Sequence, residues 1–340
     1  MIDVLVVGGG PAGLATAIGC AQAGLSVAVA EPRGGPIDKA CGEGLMPSAV
    51  RRLAAIGVRP QGHPLGGIRY LDSRGQVDAR FRHGHGLGVR RTVLHAALAE
   101  RAAELGIEVL PARVTEFSAH GGTVRAAGLQ ARYLVAADGL HSTIRRACGL
   151  DPRPARHARY GLRRHYRLAP WTDLVEVHWS AGSEAYITPV ADDLIGVAVL
   201  GNGQGDFEAR LAAFPALRAR LAGAEPASRV RGAGPLRQDV EHRARGGVLL
   251  VGDASGYLDA LTGEGIGAAL AQAAVLADCV AAGRAGDYER AWLRATRKSR
   301  ALTSGLLWSR NKPLIGPRIV PAARRLPRLF AAIVNQVGEA

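Results

Sequence analysis

Asp3-Val-Leu-Val-Val-Gly-Gly-Gly-Pro-Ala-Gly13 is the stretch that decides the fold of this chain of 340 residues. Its apolar half predicts a buried strand, and its second half predicts a glycine-rich turn that opens a helix. The Gly-x-Gly-x-x-Gly spacing allows a tight turn, a close backbone approach to a pyrophosphate, and close packing of the helix on the strand. We therefore predict a dinucleotide-binding turn rather than a purely structural one. The residues predicted to meet the phosphates are Gly8, Gly10, Pro11, Ala12 and Gly13.

An acid at the end of the second predicted strand completes this pattern. Residues 25–30 are that strand, and Glu31 follows Gly13 by 18 residues, close to the usual distance of about 20. A carboxylate at this place accepts hydrogen bonds from ribose hydroxyl groups, which argues for a ribose without a 2′-phosphate. FAD or NAD therefore fits better than NADP.

Composition and charge exclude several classes of protein. With 48% hydrophobic residues the chain is expected to be globular, and no apolar run approaches the ~18 residues of a membrane span. We expect a cytoplasmic protein, since no signal-like segment precedes the first strand. The four cysteines form no Cys-x-x-Cys pair, so reduced thiols and no metal site are expected. The formal net charge of +14 raises nucleic acid as a partner, but no nucleic-acid-binding motif is present, and none is expected to bind.

Two further motifs follow predicted strands and indicate which nucleotide binds. The first is Ala137-Asp138-Gly139, which continues to Arg145, and the second is Val251-Gly252-Asp253, which continues to Thr262-Gly-Glu-Gly265-Ile266. Together with the N-terminal stretch, they closely resemble the flavoprotein family of geranylgeranyl reductases and of aromatic hydroxylases of the p-hydroxybenzoate hydroxylase type. The resemblance spans nearly the whole chain. The loop Lys39-Ala-Cys41-Gly-Glu43-Gly-Leu45 is more similar to the geranylgeranyl reductase branch.

The resemblance implies an α/β fold: a Rossmann-like, p-hydroxybenzoate hydroxylase-like FAD-binding domain, an antiparallel β-sheet substrate domain and a helical C-terminus. Residues 1–60, 83–155 and 246–290 are predicted to form the FAD-binding domain. Residues 61–82 and 156–245 are predicted to form the substrate-binding sheet domain, and residues 291–340 the C-terminal helical segment.

The resemblance also implies which residues bind FAD. In the family, the aspartate of the Gly-Asp motif binds the ribityl chain and the pyrophosphate region, which matches Asp253. The Asp-Gly motif lies near the pyrophosphate, which matches Asp138, and an arginine that opens a helix contacts the cofactor, which matches Arg91. Beyond the glycine turn, the predicted cofactor-binding residues are Glu31, Arg33, Cys41, Gly42, Arg91, Val114, Asp138, Gly139, Gly252, Asp253, Gly263, Gly265 and Ile266. His95 stands where the family usually has an acid, a departure that we attribute to helix packing.

Cys41 is the predicted catalytic residue, because the cysteine loop of the geranylgeranyl reductase branch borders the flavin ring. The alternative for Cys41 is a small buried residue in a tight loop. The glycine-rich residues 263–267 would point free N–H groups of a helix at reduced flavin and stabilise its negative charge. His165 and His178 lie in predicted strands, where they are either bases or half-buried packing residues.

The leading functional hypothesis is an FAD-dependent monooxygenase that docks NADH or NADPH transiently as its electron donor. It would hydroxylate an aromatic, polyketide or lipid-like substrate through a flavin C4a-hydroperoxide. The first alternative is a geranylgeranyl-reductase-type enzyme that reduces isoprenoid double bonds, and the second is a non-catalytic flavoprotein that binds lipid at a membrane surface. The expected partner is an apolar or aromatic small molecule, and the sequence leaves the oligomeric state open.

The C-terminal segment is strongly basic. From residue 294 to residue 328 it has ten Lys or Arg residues and no Asp or Glu, interleaved with bulky apolar residues. Such a segment either covers the body of the protein with its apolar side or holds the protein against an anionic membrane. We therefore add peripheral contact with the inner membrane surface to the expected location.

Overall fold

The computed structural model describes residues 1–153, 158–203 and 205–339. The predicted start of the substrate domain, at residue 156, lies outside the described residues. In chain order, the strands and α-helices are β1 (Ile2–Val7), α1 (Pro11–Gln22), β2 (Val27–Ala30), β3 (Gly44–Leu45), α2 (Pro47–Ala55), β4 (His63–Leu65), β5 (Gly67–Asp72), β6 (Gly75–Arg80), β7 (Gly86–Gly88), α3 (Arg91–Glu104), β8 (Glu108–Leu110), β9 (Ser118–His120), β10 (Thr123–Ala126), β11 (Leu129–Ala136), α4 (Thr143–Ala147), β12 (Arg159–Arg167), β13 (Leu174–Ser180), β14 (Ser183–Ala191), β15 (Leu194–Asn202), α5 (Phe207–Leu211), α6 (Pro215–Arg220), β16 (Glu225–Pro226), β17 (Arg231–Ala233), β18 (Ala244–Arg245), β19 (Val248–Leu250), α7 (Gly265–Ala281), α8 (Tyr288–Arg310), α9 (Ile319–Arg325) and α10 (Pro327–Glu339).

The first sheet is built around the N-terminal strand. Its order is β18-β19-β11-β1-β2-β8, with β10 and β9 attached beside β11. β1 pairs in parallel with β2 and with β11. Val4 and Val6 enter one core cluster while Leu5 and Val7 enter another, because successive side chains of a strand point to opposite faces. Both faces are therefore covered, as the apolar residues 4–7 of this strand require.

Helices α1, α3 and α7 cover one face of the first sheet. Their apolar side chains join Val4 and Val6 in one core, and α8 adds Trp292 to it. The Trp292 indole donates a hydrogen bond to Ser255 Oγ at 3.1 Å, and the Arg243 guanidinium lies over the indole ring at 4.0 Å. These contacts fix the start of the C-terminal helical segment to the nucleotide domain.

The second sheet has the order β16-β12-β15-β14-β13-β5-β6, with β17 beside β12. It is antiparallel except where β5 pairs in parallel with β13, which corrects the prediction of a purely antiparallel sheet. The hairpin of β5 and β6 is formed by residues 67–80. It is far from β13 in the sequence, so no tight turn between β5 and β13 requires them to be antiparallel.

The sequence patterns also predict one surface helix over residues 207–221 and a strand over residues 114–117, and both predictions are corrected. Residues 207–221 form two short helices instead of one, because Pro215 opens α6 and leaves no N–H to continue α5. Residues 114–117 form no strand, because a two-residue turn at Gly121 and Gly122, both with positive φ, fixes β9 as the partner of β10.

A small third sheet, β3-β7-β4, connects the two domains. A Cβ added at Gly88 in β7 would lie 1.7 Å from the Pro189 carbonyl oxygen of β14. Only glycine permits this approach, so β7 packs directly against the second sheet. The loop that carries Cys41 runs into β3 and is held at this junction.

The C-terminal segment is helical, as expected, and its long helix α8 packs against α7. The end of α8 is tied to the second sheet by Arg310, whose Nε donates to Glu184 Oε1 at 2.6 Å. Arg159 pairs with the same Glu184 and also with Asp259, at 2.9 Å. Within the described ranges, no helix combines the length and the apolar character that crossing a bilayer requires.

Candidate active site

A cavity of about 720 Å³ lies between the nucleotide-binding loops and the second sheet. Most residues that the sequence predicted to bind the cofactor line it. These are Gly10, Pro11, Ala12, Arg33, Cys41, Gly42, Arg91, Asp138, Gly139, Gly252, Asp253, Gly263, Gly265 and Ile266. The four remaining predicted residues, Gly8, Gly13, Glu31 and Val114, lie outside the lining, and the Val114 side chain is buried in the second core cluster. We call this cavity the chamber.

The three fingerprint glycines have different surroundings. A Cβ at Gly8, whose φ is +109°, would lie 2.5 Å from the Ala137 carbonyl oxygen, and one at Gly13 would lie 1.9 Å from the Gly8 carbonyl oxygen. A Cβ at Gly10 would meet nothing closer than an Arg91 nitrogen at 3.9 Å. Gly8 and Gly13 are therefore required by the fold, whereas Gly10 leaves room that a phosphate can use.

Glu31 lies beside the glycine turn. Its carboxylate accepts hydrogen bonds from the Gly9 N–H at 2.8 Å and from Arg33 Nε at 2.7 Å. Burial raises the pKa of Glu31, but the hydrogen bonds from Arg33 and Gly9 outweigh it and hold the pKa below its ordinary value. His95 also supports this turn, because its Nε2 lies 3.0 Å from the Gly9 carbonyl oxygen, so the imidazole N–H donates there. The histidine thus holds the turn itself and does not only pack a helix.

Arg145, which was not among the predicted site residues, joins the Asp-Gly and Gly-Asp motifs. Asp138 Oδ2 accepts the Thr143 N–H at 2.7 Å, which caps α4, while its Oδ1 is buried without a hydrogen-bond partner among the described residues. Arg145 is buried and donates to the carbonyl oxygens of Leu140, at 3.0 Å, and Ala254, at 3.1 Å. The two motifs are therefore held at a fixed separation.

Lys39 connects the cysteine loop to the Gly-Asp motif. Its Nζ lies 3.1 Å from Asp253 Oδ2, and a Cβ added at Gly139 would be 3.3 Å from the same Nζ. The lysine charge therefore lies where the two phosphate-side motifs meet. Lys39 lies in the cysteine loop, but its contact with Asp253 could not be predicted from the sequence, because the two residues are 214 positions apart.

Helix α7 begins at the chamber. No side chain caps its N-terminus, so the N–H groups of Gly265 and Ile266, which line the chamber, are free to meet negative charge. The preceding Glu264 is buried, and its Oε2 has no hydrogen-bond partner among the described residues. Burial raises the pKa of Glu264 to about 8, with Arg52 offsetting only part of the effect.

Cys41 lines the chamber where the cysteine loop turns toward β3. Its Sγ accepts the Glu43 N–H at 3.3 Å, and the neighbouring Gly42 carbonyl oxygen accepts the Thr188 hydroxyl at 2.8 Å. Burial raises the pKa of the Cys41 thiol, so the thiol is neutral near pH 7.

Glu43 is the most constrained residue of the site. It has a φ of +59° and is 1% exposed. Its Oε1 accepts the Arg91 N–H at 2.8 Å, and its Oε2 lies 2.6 Å from His165 Nε2. Arg163 lies 3.8 Å from Oε1. His165 was a candidate base from its sequence position, whereas no sequence pattern indicated Glu43.

His165 has a defined tautomer. Arg163 Nη1 lies 3.1 Å from His165 Nδ1, and since a guanidinium only donates, Nδ1 must accept. The imidazole proton is therefore on Nε2 and faces Glu43. Ser228 Oγ also lies 3.0 Å from Nδ1, and Ser228 is partly exposed whereas His165 is buried.

The positive charge of Arg163 is balanced by Asp38, which also pairs with Arg231. His178, in contrast, does not line the chamber and contacts Glu176 at 3.2 Å.

The second sheet closes the chamber with an apolar wall. The wall residues are Ile68, Leu162, Val175, Val177, Ala198, Leu200 and Leu236. Tyr70 and Tyr186 also line the chamber, and the Tyr186 hydroxyl donates to the Leu261 carbonyl oxygen at 2.8 Å. The Tyr70 hydroxyl makes no hydrogen bond with the described part of the chain, and burial raises its pKa. Tyr70 is therefore a neutral donor in an apolar surrounding.

Comparison with known proteins agrees with this geometry. Residues 1–163 match the family model described as the FAD binding domain. The chain is 28% identical to the menaquinone reductase of Mycolicibacterium smegmatis, over 85% of this chain and 79% of that protein. It is also 28% identical to the digeranylgeranylglycerophospholipid reductase of Methanosarcina acetivorans, over 78% of this chain and 71% of that protein.

A solved structure shows the same fold. It is the crystal structure of pqsL, described as a probable FAD-dependent monooxygenase from Pseudomonas aeruginosa, with a TM-score of 0.75 and 21% identity. The match covers 97% of this chain and 99% of that chain. Together with the family model and the two reductases, this structure confirms the resemblance read from the sequence motifs. The open approach at Gly10 and the uncapped start of α7 fit the phosphates and the ring of FAD.

We predict that Gly10→Val and Gly13→Ala fail in different ways. The valine has space in the protein and fills only the approach to the pyrophosphate, so the variant folds but binds FAD at least about tenfold more weakly. The alanine meets a carbonyl oxygen at 1.9 Å, so the variant loses the packing of α1 and unfolds at lower temperature. Two measurements distinguish these results: the flavin absorbance of each purified variant, and its thermal unfolding measured by circular dichroism. A Gly10→Val variant with full flavin content would contradict the assignment of this turn to the phosphates.

The raised pKa of Glu264 predicts a pH-dependent stability. Between the unfolded pKa of 4.5 and the folded pKa of about 8 the native state keeps a proton that the unfolded chain has lost. Stability therefore falls as pH rises through this window. We expect Glu264→Gln to unfold at the same temperature as wild type at about pH 5 and at a higher temperature at about pH 9. The gain is at most about 5 kcal/mol, since one pKa unit corresponds to about 1.4 kcal/mol. Equal melting temperatures at both pH values would show that Glu264 is ionised in the native state.

Proposed function

We propose that this chain is an FAD-dependent oxidoreductase similar to the p-hydroxybenzoate hydroxylase and geranylgeranyl reductase type, and that it hydroxylates an apolar substrate that carries a phenolic or quinol-type ring. The observation that carries the proposal is the Tyr70 hydroxyl in the apolar wall of the chamber. This hydroxyl lines the chamber and has no hydrogen-bond partner among the described residues, so a ligand with a ring oxygen can accept its hydrogen bond. A hydrocarbon segment of an isoprenoid supplies none.

The cofactor's place follows from the residues of the chamber. Gly10 and Arg91 would hold the phosphates, Asp253 and Lys39 the ribityl region, and the start of α7 the ring, while Asp138 fixes the loop beside the phosphates by accepting the Thr143 N–H. FAD supplies the two-electron chemistry when bound, and we propose NADH or NADPH as its transient donor. Glu31, whose carboxylate lies beside the glycine turn, would accept hydrogen bonds from the ribose.

The reaction also needs a proton. Hydroxylation converts NAD(P)H, O₂, substrate and one proton to NAD(P)⁺, hydroxylated product and water, so each cycle consumes one proton. Glu43 lines the chamber, and His165 holds its Nε2 proton 2.6 Å from the Glu43 carboxylate. We propose that Ser228 passes a proton to Nδ1, that Nε2 releases one to Glu43, and that Glu43 delivers it into the chamber. The resting tautomer of His165 is the one that this direction of transfer requires.

Cys41 has a different proposed role. Its neutral thiol lies on the chamber wall, so it would contact the reacting ring as a weak donor. Cys41 is not part of the proton path, because its Sγ accepts a hydrogen bond from a backbone N–H and not from a carboxyl group.

Reduction of an isoprenoid double bond is the second candidate. It is favoured by the two reductases that align with this chain at 28% identity. Reduction consumes one NAD(P)H and one proton per double bond, so the same path through Glu43 would serve it. The two reactions differ in their use of oxygen and in the mass of the product.

The two candidates are separated by one assay. We expect the purified yellow protein to oxidise NADH or NADPH in the presence of an alkyl-substituted phenol, to consume one O₂ per nicotinamide and to yield a product heavier by one oxygen atom. Oxygen-electrode traces and mass spectrometry measure both quantities. A product heavier by two hydrogens, formed from a polyprenyl compound under anaerobic conditions, would contradict hydroxylation and establish reduction. If NADH and NADPH leave the absorbance of the bound FAD unchanged, the remaining hypothesis is a non-catalytic flavoprotein that binds lipid.

The proton path predicts that Glu43→Gln and His165→Gln keep bound FAD but lower kcat by about 10²–10⁴, the usual contribution of acid–base catalysis. Ser228→Ala is expected to lower kcat less, because water can replace a partly exposed hydroxyl. His178→Gln is the matched control, since this histidine lies in the same sheet but not in the chamber. Turnover and its pH profile are measured for the four variants. Unchanged turnover in Glu43→Gln with normal flavin content would exclude the path.

A further inference from the structure

The last part of the chain exposes apolar and cationic side chains side by side. Among the described residues, ten large apolar side chains are exposed, and six of them lie between residues 308 and 333. Leu314 is 75% exposed and Trp308 is 58% exposed. We define the C-terminal face by its exposed residues, which are Trp308, Lys312, Leu314, Ile315, Arg318, Arg324, Arg325, Leu326, Arg328 and Leu329. We propose that this face binds the surface of an anionic phospholipid membrane.

The positive charge of the C-terminal face is not compensated within the described chain. None of its five cations forms an ion pair with a carboxylate there. Arg324 donates to the Arg74 carbonyl oxygen at 2.7 Å, and Arg318 donates to the Leu314 carbonyl oxygen. Lys312 Nζ lies 5.5 Å from the centre of the Trp308 ring. No Asp or Glu occurs between residues 294 and 328, so the neighbouring sequence offers no counter-charge either.

The combination of side chains selects the kind of partner. Cations alone would suit any polyanion, including nucleic acid. Exposed leucine and isoleucine at the same place gain free energy only where they leave water, and a phosphodiester backbone offers them no apolar region. An anionic bilayer offers phosphate charge at its surface and acyl chains directly beneath it, where Trp308 also fits the interface.

The face is a fixed part of the molecule. Arg310, at the end of α8, pairs with buried Glu184, and Phe330 of α10 packs on Tyr70 with ring centres 4.8 Å apart. Tyr70 lines the chamber. The exposed residues are thus carried on elements that are packed against the substrate sheet, and a membrane bound there would lie at a set distance from the chamber.

A groove lies beside the face. It encloses about 1300 Å³ and is lined by Lys312, Pro317 and Val320 at the C-terminal face. Arg159 of the second sheet and its ion-pair partner Asp259 also line it. Binding of the face to lipid would place the outer side of this groove against the bilayer. This inference does not depend on which reaction occurs in the chamber.

The test is co-sedimentation of the FAD-loaded protein with vesicles of phosphatidylglycerol or of phosphatidylcholine at low ionic strength. We expect binding to phosphatidylglycerol only, lost when salt is added. Lys312→Gln, Arg325→Gln and Arg328→Gln together should weaken binding roughly a hundredfold, since each cation near an anionic surface contributes about fivefold. The matched control is Arg59→Gln, Arg125→Gln and Arg229→Gln, which removes the same charge from exposed positions elsewhere and should leave at least most of the binding.

Trp308 gives a second readout that reports which face is bound. Acyl chains that carry bromine quench a tryptophan that enters the bilayer, so quenching is expected in wild type and should be lost in Trp308→Phe. Leu314→Ser should weaken binding, while Leu293→Ser, which alters an exposed apolar residue in the first half of α8, should not. Absence of binding, equal binding to both lipids, equal losses in the two triple variants, or binding without quenching of Trp308 would each overturn the proposal. Flavin absorbance verifies that every variant is folded.

Discussion

The buried carboxylate of Glu43 is the interaction on which the site depends. It is 1% exposed and sits at a φ of +59°, an uncommon conformation for a residue with a side chain. Its two oxygens reach the first N–H of α3 and the imidazole of His165, and its own N–H reaches Cys41. One residue thereby joins the cysteine loop, the start of α3 and the second sheet. A buried charge without these partners would be costly, so the three walls of the chamber are held in one arrangement.

The two ends of the chamber follow different physical rules. At the nucleotide end, the open backbone at Gly10 and the charge of Arg91 suit phosphates, and Lys39 and the uncapped start of α7 suit the ribityl region and the ring of the proposed cofactor. At the sheet end, the apolar strand residues and the hydroxyl of Tyr70 suit a ligand with little charge. Glu43 lies between them, where a redox reaction has to exchange protons with water. This division explains why a single cavity can serve a permanent cofactor and a transient substrate.

The residues that the sequence predicted for the nucleotide end are largely brought together, because the determinants of that end are local. The strand, turn and helix around Gly10 lie within about twenty residues, and the helix start expected at the glycine-rich residues 263–267 is the N-terminus of α7. Most predicted cofactor residues line the chamber, although Val114 is a core residue. The partners at the sheet end could not be predicted, because Glu43 and His165 are 122 residues apart and a lone glutamate in a loop carries no periodic signal. The parallel pairing of β5 with β13 was missed for the same reason.

The most direct test of this account is the crystal structure of the protein with bound FAD. The account predicts that the isoalloxazine ring lies in the chamber, between the loop of Cys41 and Gly42 and the start of α7, with the Tyr70 hydroxyl facing open space beyond the ring. It also predicts that Glu43 remains bonded to His165. A ring placed outside the chamber, or a Glu43 carboxylate separated from His165 when FAD is bound, would contradict it.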